Sequence, residues 1–256
     1  MIRLEIAGRI ATVTLSRPPV NAISTEWIAH FDSTLEQLAA RSDWHILHIR
    51  SDQKVFCAGA DLAQVRACLA GPDGPDQMLA FVAGMQRLFA RIEELPQVTL
   101  AEIGGAALGG GLELALACDL RIAAAEAKLG LPEARLGVIP GAGGTQRLTR
   151  LCGQATAARL ILGAEVIDGG TATTLGIAHW SVPRAELPGR SAEITRRIAE
   201  LPAAALAASK ACIAAAAEPG RGGYLDELEH TRRLYSNEDT RRRVEAFLAD
   251  NVKSQA

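Results

Sequence analysis

The chain has 256 residues, 48% of them hydrophobic and 22% charged, the composition of an ordinary globular protein rather than a disordered or fibrous one. That length accommodates one large domain, or one domain with a small appendage. Its 27 basic residues nearly balance 29 acidic ones, for a net charge of −2, so no global basic field draws it toward nucleic acid.

The first residues alternate, with Ile2, Leu4 and Ile6 between Arg3 and Glu5, and a Gly8-Arg9 turn leads into IATVTLS. This predicts an opening β-hairpin. SRPPVNAIS breaks the pattern, after which Trp27, Ile28, Phe31, Leu35 and Leu38 recur at helical spacing behind Ser24, a residue suited to an N-cap. HILHIRS reads as a short strand. GPDGPD, at 71 to 76, reads as a loop, and Met78, Phe81, Met85, Leu88, Ile92 and Leu95 then form one stripe of an amphipathic helix.

VTLAEI is a further strand, followed by a glycine-rich turn, an apolar helix and the strand DLRIAA. Strands alternating with helices predict an α/β domain. From about residue 190 the pattern is wholly helical, which places a boundary between 190 and 200 and divides the chain into a core, 1–195, and a helical region, 196–256.

Several familiar chemistries lack support. The chain has no G-x-G-x-x-G, no G-x-x-x-x-G-K-[ST] and no G-x-S-x-G, the signatures of dinucleotide binding, nucleotide hydrolysis and the α/β-hydrolase triad. His45 and His48, three apart in a strand, point to opposite faces and make a poor metal pair. Cysteines 57, 68, 118, 152 and 212 show no C-x-x-C pair and no zinc spacing, which predicts idle thiols in a reducing compartment and no metal site. The sequence opens directly on a strand pattern and has no uninterrupted apolar run of bilayer length. A cytoplasmic protein with no membrane partner is the expectation.

The informative stretch is ALGGGLELALACD. Its helix is apolar all round and therefore belongs inside, yet it carries Glu113 with no basic residue nearby, and burying an unpaired carboxylate is costly. Glycines 109 to 111 allow close approach to a ligand and leave main-chain N–H groups at the positive end of a helix. Such an end holds an oxygen that becomes negative during reaction. FCAGADL, residues 56 to 62, is a second small-residue turn after a strand, and two such turns meeting at one oxygen make an oxyanion hole. GLPEARLGVIPGAGG adds Glu133. Two carboxylates beside an oxyanion hole point to acid–base chemistry on a carbonyl compound. Asp61 alone reads as a turn cap.

SRPPVNAIS, FCAGADL, GGAALGGGLELALACDLRIA and GLPEARLGVIPGAGGTQRL, in this order, resemble the crotonase superfamily and specifically its enoyl-CoA hydratases. The resemblance runs from the first hairpin to the last helix. It implies a right-handed spiral of ββα units with a helical C-terminal region that packs into homotrimers or dimers of trimers. It also implies an acyl-CoA thioester substrate, with coenzyme A arriving as part of it and no further cofactor. The thioester oxygen would accept from the N–H groups of Ala58 and Gly110, Glu113 and Glu133 would flank the C2–C3 bond, and Gly141 would help hold the attacking water. Ala60, Asp61, Leu62, Gly109 and Pro132 would line the substrate.

Three positions depart from the pattern. Ala63 and Asp250, the latter three residues after Phe247, stand where relatives carry basic residues that hold the coenzyme A phosphates. Arg17, Lys54 and Arg66 are the substitutes at hand. Glu102 replaces a usual small residue and reads as a structurally satisfied carboxylate. The activity expected is hydration of a 2-trans-enoyl-CoA to the 3-hydroxyacyl-CoA. The alternatives are another reaction through the same enolate, such as isomerisation or decarboxylation, and a non-catalytic acyl-CoA- or RNA-binding relative. The absence of a basic excess argues against RNA.

Overall fold

The computed structural model describes residues 1–217 and 222–253, with side chains described as far as residue 249. The hairpin forms as its alternation predicts: β1 (Ile2–Ala7) pairs antiparallel with β2 (Ile10–Leu15) across Gly8, whose φ of 57° is in the left-handed region. Helix α1 (Thr25–Ala39) follows, capped by the Ser24 hydroxyl on the Trp27 amide, with Trp27, Phe31, Leu35 and Leu38 buried. Next come β3 (Ile46–Ser51), α2 (Leu62–Leu69) and α3 (Gly74–Glu93). Helix α3 takes in half of the segment expected as a loop. Pro75 lies in its first turn, where a missing N–H costs nothing.

The chain continues through β4 (Val98–Ile103), β5 (Ala107–Leu108), α4 (Gly110–Leu116), β6 (Leu120–Ala124) and β7 (Lys128–Gly130). A 3-10 turn over Pro132–Leu136 then precedes α5 (Gly144–Leu162), β8 (Val166–Asp168), α6 (Gly169–Thr174) and β9 (Trp180–Val182). The main sheet has the order β1-β2-β3-β4-β6-β9 and is parallel from β2 onward; β5, β7 and β8 form a smaller sheet. Isolated parallel bridges at Ile23–Ala60 and Cys57–Ala107 extend that second layer.

Each main-sheet strand from β2 to β6 thus runs into a short piece of the second layer before a helix returns the chain. This repeated β–β–α course is the spiral that the resemblance implies. Parallel strands covered on both faces are uniformly apolar, and the core here is continuous, from Val13 and Leu47 to Leu112, Leu129 and Ile167.

Four helices close the chain: α7 (Leu187–Ala199), α8 (Ala203–Ala215), α9 (Gly223–Tyr235) and α10 (Glu238–Lys253). The helical region therefore begins at Leu187, and the division expected at 195/196 falls inside α7, which packs on the main sheet. The side chain of Asp250 lies outside the described residues. All five thiols are free, and burial pushes those of Cys57 and Cys118 up to about 12, which keeps them protonated and inert. Among the described residues no single helix is long and apolar enough to cross a membrane.

Helix α4 comes against the 56–61 turn at Gly111, where a Cβ would stand 2.1 Å from the Cys57 carbonyl oxygen. Gly111→Ala is expected to destabilise the fold by roughly 1–3 kcal/mol or more through overpacking against backbone. Gly189→Ala, in open space on α7, gains roughly 0.5–1 kcal/mol from helix propensity. Urea denaturation of both variants checks this, and equal stability at Gly111 would contradict so close an approach.

Candidate active site

The segment after β2 organises the site. The Asn21 side chain accepts the Arg17 amide at 2.7 Å and donates to the Ser51 hydroxyl at 2.8 Å and the Phe56 carbonyl at 2.9 Å. Asn21 is wholly buried with φ of 51°, a conformation that asparagine tolerates. It ties the SRPPVNAIS loop to the FCAGADL turn, which is held further by Ile23 N–H on the Gly59 carbonyl and Asp61 N–H on the Ile23 carbonyl.

These pairings decide which amides stay open. Ala58 N–H donates to the Val20 carbonyl at 3.0 Å, so it is consumed within the fold. This corrects the expectation that Ala58 serves the oxyanion hole. Two residues on, the Gly59 carbonyl and Asp61 N–H face Ile23, so the Ala60 N–H between them points the other way and has no protein acceptor among the described residues.

The opposite wall is the glycine turn. Gly109 has φ of 52° and its N–H reaches the Gly130 carbonyl; its own carbonyl takes the amides of Leu112 and Glu113. Gly110, first in α4, has no intrahelical partner for its N–H and no other acceptor among the described residues. A Cβ on Gly59 would meet the Leu108 carbonyl oxygen at 2.9 Å and the Gly110 nitrogen at 3.3 Å. The two turns therefore lie in contact, and the open amides of Ala60 and Gly110 flank Gly59. At the other end of α4 the buried Arg121 guanidinium donates to the carbonyls of Ala115, Cys118 and Ile177, a cation where the helix dipole is negative.

Both predicted glutamates are at this turn. Glu113 is 2% exposed, and its Oε1 accepts the Gly144 amide at 2.8 Å. Burial pushes its carboxyl up to about 7; the charge of Glu133 adds to the rise, and the amides of Gly144 and Ala142 oppose it. Glu133, in the 3-10 turn, packs its carboxylate onto Gly109, where a Cβ would meet Oε1 at 2.8 Å. Burial raises Glu133 too, and its Oε2 is buried without a hydrogen-bond partner.

The 140–144 loop supplies Gly144, and two side chains pin it. Gln86 Nε2 donates to the Gly141 carbonyl at 2.6 Å, and Arg147 donates to the Ala142 carbonyl at 3.0 Å while pairing with Glu93 at 2.8 Å. Gly141 is thus in the loop beside Glu113, but the amide that grips the carboxylate is Gly144's. Val82 of α3 abuts Gly141, and Ile23 and Met85 abut Gly110.

The remaining candidates divide. Asp61 caps α2 through the amides of Ala63 and Gln64 and pairs with Arg17 at 2.6 Å. Arg17 also donates to the Ala22 carbonyl at 2.5 Å, so both are engaged within the protein. Leu62, Lys54 and Arg66 are exposed, and Pro132 opens the turn that carries Glu133. Glu102 is satisfied by His48 at 2.9 Å and by Ser191. His45 stands just ahead of β3 and bonds the Ala199 carbonyl at 3.0 Å, so strand alternation applies to His48 alone. Sequence reasoning missed Asn21, Gln86, Arg121 and Arg147, whose roles depend on contacts distant in the chain.

The raised carboxyl of Glu113 has a consequence for stability. The native state holds this proton more tightly than the unfolded chain, so the advantage is complete below the ordinary value of 4.5 and is lost as pH rises through about 7. Glu113→Gln keeps an acceptor for Gly144 and removes the buried charge. It is expected to exceed the wild type by about 3 kcal/mol at pH 8, the gap closing toward pH 4. Urea denaturation across this range measures it, and a pH-independent difference would refute the assigned ionisation.

The sequence profile described as enoyl-CoA hydratase/isomerase matches residues 5–250. The chain is similar to a probable enoyl-CoA hydratase of Bacillus subtilis, 36% identical, over 98% of this chain and 92% of that one. It is also similar to a short-chain-enoyl-CoA hydratase of Clostridium acetobutylicum, 32% identical, over 96% and 93%. Among solved structures, an enoyl-CoA hydratase of Geobacillus kaustophilus superposes with a TM-score of 0.91 at 32% identity, covering 97% of this chain and 94% of that one. One from Bacillus anthracis also gives 0.91 at 32%, covering 97% and 96%. With the crotonase fold and the motifs in register along its length, the chain belongs to the enoyl-CoA hydratase/isomerase family.

Proposed function

We propose that the protein hydrates 2-trans-enoyl-CoA thioesters to 3-hydroxyacyl-CoA. The observation that carries this reading is the meeting of two buried carboxylates, Glu113 held by the Gly144 amide and Glu133 packed onto Gly109, beside two open amides. Water adding at C3 sends negative charge onto the thioester oxygen. Amides of Ala60 and Gly110, already fixed by the fold, meet that charge without reorganising.

Glu113 acts as the base on the attacking water. Its carboxyl near 7 makes it half-ionised at neutral pH, close to the optimum for proton transfer. Glu133 acts as the acid: its unpartnered Oε2 carries the proton delivered to C2. Both groups on one side of the double bond give syn addition. Two neighbouring carboxylates with raised values favour a single shared negative charge, which is the state hydration needs. Of the three candidate cations for the coenzyme A phosphates, Lys54 and Arg66 are exposed with no ion pair among the described residues, whereas Arg17 is spent on Asp61.

The exposed apolar side chains of the C-terminal helices support the homotrimer or dimer of trimers. Ile213, Tyr224, Leu225, Leu228 and Phe247 are each at least 67% exposed, more than an isolated surface tolerates in one region. Analytical ultracentrifugation is expected to give three or six times the chain mass; a monomer at micromolar concentration would refute that assembly.

Loss of enoyl-thioester absorbance on adding purified protein tests the reaction. Glu113→Gln and Glu133→Gln are each expected to lower the rate by roughly 10²–10⁴-fold. Gly110→Pro keeps a residue suited to the first helical position but deletes the amide, and about 10²–10³-fold is the expected loss. Folded variants with wild-type rates would defeat the assignment. Movement of a 3-enoyl double bond, with little hydration and dependence on one glutamate, would identify an isomerase instead.

A further inference from the structure

Helix α7 covers β2, β3, β4 and β6 of the main sheet, an interface ordinarily filled with apolar side chains because buried polar groups are costly there. In this protein His48, Glu102, Ser191 and Thr195 are buried in it, at 7%, 8%, 1% and 2% exposure. They surround a cavity of about 290 Å³. Buried polar groups around open space need an explanation that packing does not give.

The cluster is not a nucleophile relay. Glu102 is its centre, with Oε2 accepting the Ser191 hydroxyl and meeting His48 Nε2. Burial alone would raise the Glu102 carboxyl, but His48, Ser191 and Arg50 outweigh it and hold the group below its usual value. A carboxylate that weakly basic leaves the serine unactivated. Its charge is offset by these hydrogen bonds and by Arg50.

Two cations on the same wall have no direct carboxylate partner among the described residues, although Arg50 acts through space on Glu102 and Arg196 on Glu193. Arg50 Nε makes only a 3.4 Å contact with Thr14 Oγ1, and Arg196 Nε donates to the Ala192 carbonyl. Among the described residues neither guanidinium forms an ion pair, so the terminal nitrogens of both remain for a ligand. Guanidinium forks lining one cavity select a planar oxyanion. The rest of the wall is Ala7, Ile10, Pro188 and Ala192, with Thr12 its one further polar residue. A mixed wall of this size suits a small ligand with one charged end and a hydrocarbon body.

We propose that this cavity binds a small organic carboxylate, its head on Arg50 and Arg196 and its body against Ile10 and Pro188. The site shares no residue with the Glu113 site and does not depend on the hydratase reading. Isothermal titration calorimetry of the whole protein with hexanoate tests it, alongside hexylammonium and inorganic phosphate. Saturable one-to-one binding of hexanoate is expected, with a shift of the His48 ring resonances on titration. The affinity should fall at least tenfold in Arg50→Gln, in Arg196→Gln and in Ala192→Trp, which fills the cavity from α7, and hexylammonium should not bind comparably. No saturable binding to the folded wild type would overturn the proposal. So would binding that survives both arginine variants without moving His48, since that places hexanoate elsewhere, or phosphate binding as tightly as hexanoate.

Discussion

The 2.8 Å bond from the Gly144 amide to Glu113 Oε1 joins two elements that the chain builds separately, the apolar helix α4 and the start of α5. It holds a carboxylate inside a helix whose every residue is buried. An isolated charge there would simply be neutralised. One strong N–H donor, with Ala142 assisting, keeps ionisation within reach of neutral pH while burial prevents it from being complete. The acid–base role proposed for Glu113 rests on that balance rather than on any feature of glutamate itself.

The balance requires that the loop bearing Gly144 stay in place, and side chains remote from the chemistry ensure it. Gln86 and Arg147 grip the carbonyls of Gly141 and Ala142, and Glu93 anchors Arg147 to α3. On the other wall Asn21 fixes the 56–61 turn, and Arg121 holds the far end of α4 by the carbonyls of Ala115 and Cys118. Close approach does the rest. Gly59 against Gly110, Gly109 against Glu133 and Gly144 against Glu113 are contacts at which a Cβ would meet its neighbour at 3.3 Å or less, so the open amides and both acids converge because side chains are missing.

Much of this was legible in the residues. Strand alternation, the Ser24 cap and the α3 stripe are local signals, and each produced the element expected. Glu113 announced itself as a carboxylate in an apolar helix, and the glycines beside it as a turn with free amides. The errors have a common cause. Assigning the second amide to Ala58 rather than Ala60 is a matter of strand phase, and phase in the 56–61 turn is set by pairing with Val20 and Ile23, distant in sequence. Gly144's grip on Glu113, the consumption of Arg17 by Asp61 and the Glu102–His48 pair are likewise tertiary facts, with no local pattern to betray them.

The most direct measurement of the central claim is a carbon-13 NMR titration of the protein labelled at its glutamate side-chain carboxyls, with Glu113→Gln providing the assignment. A resonance that titrates near pH 7 and disappears in the variant is the result expected. If the Glu113 carboxyl titrates near 4.5, like an exposed glutamate, the burial that drives the proposed chemistry is absent and the account fails.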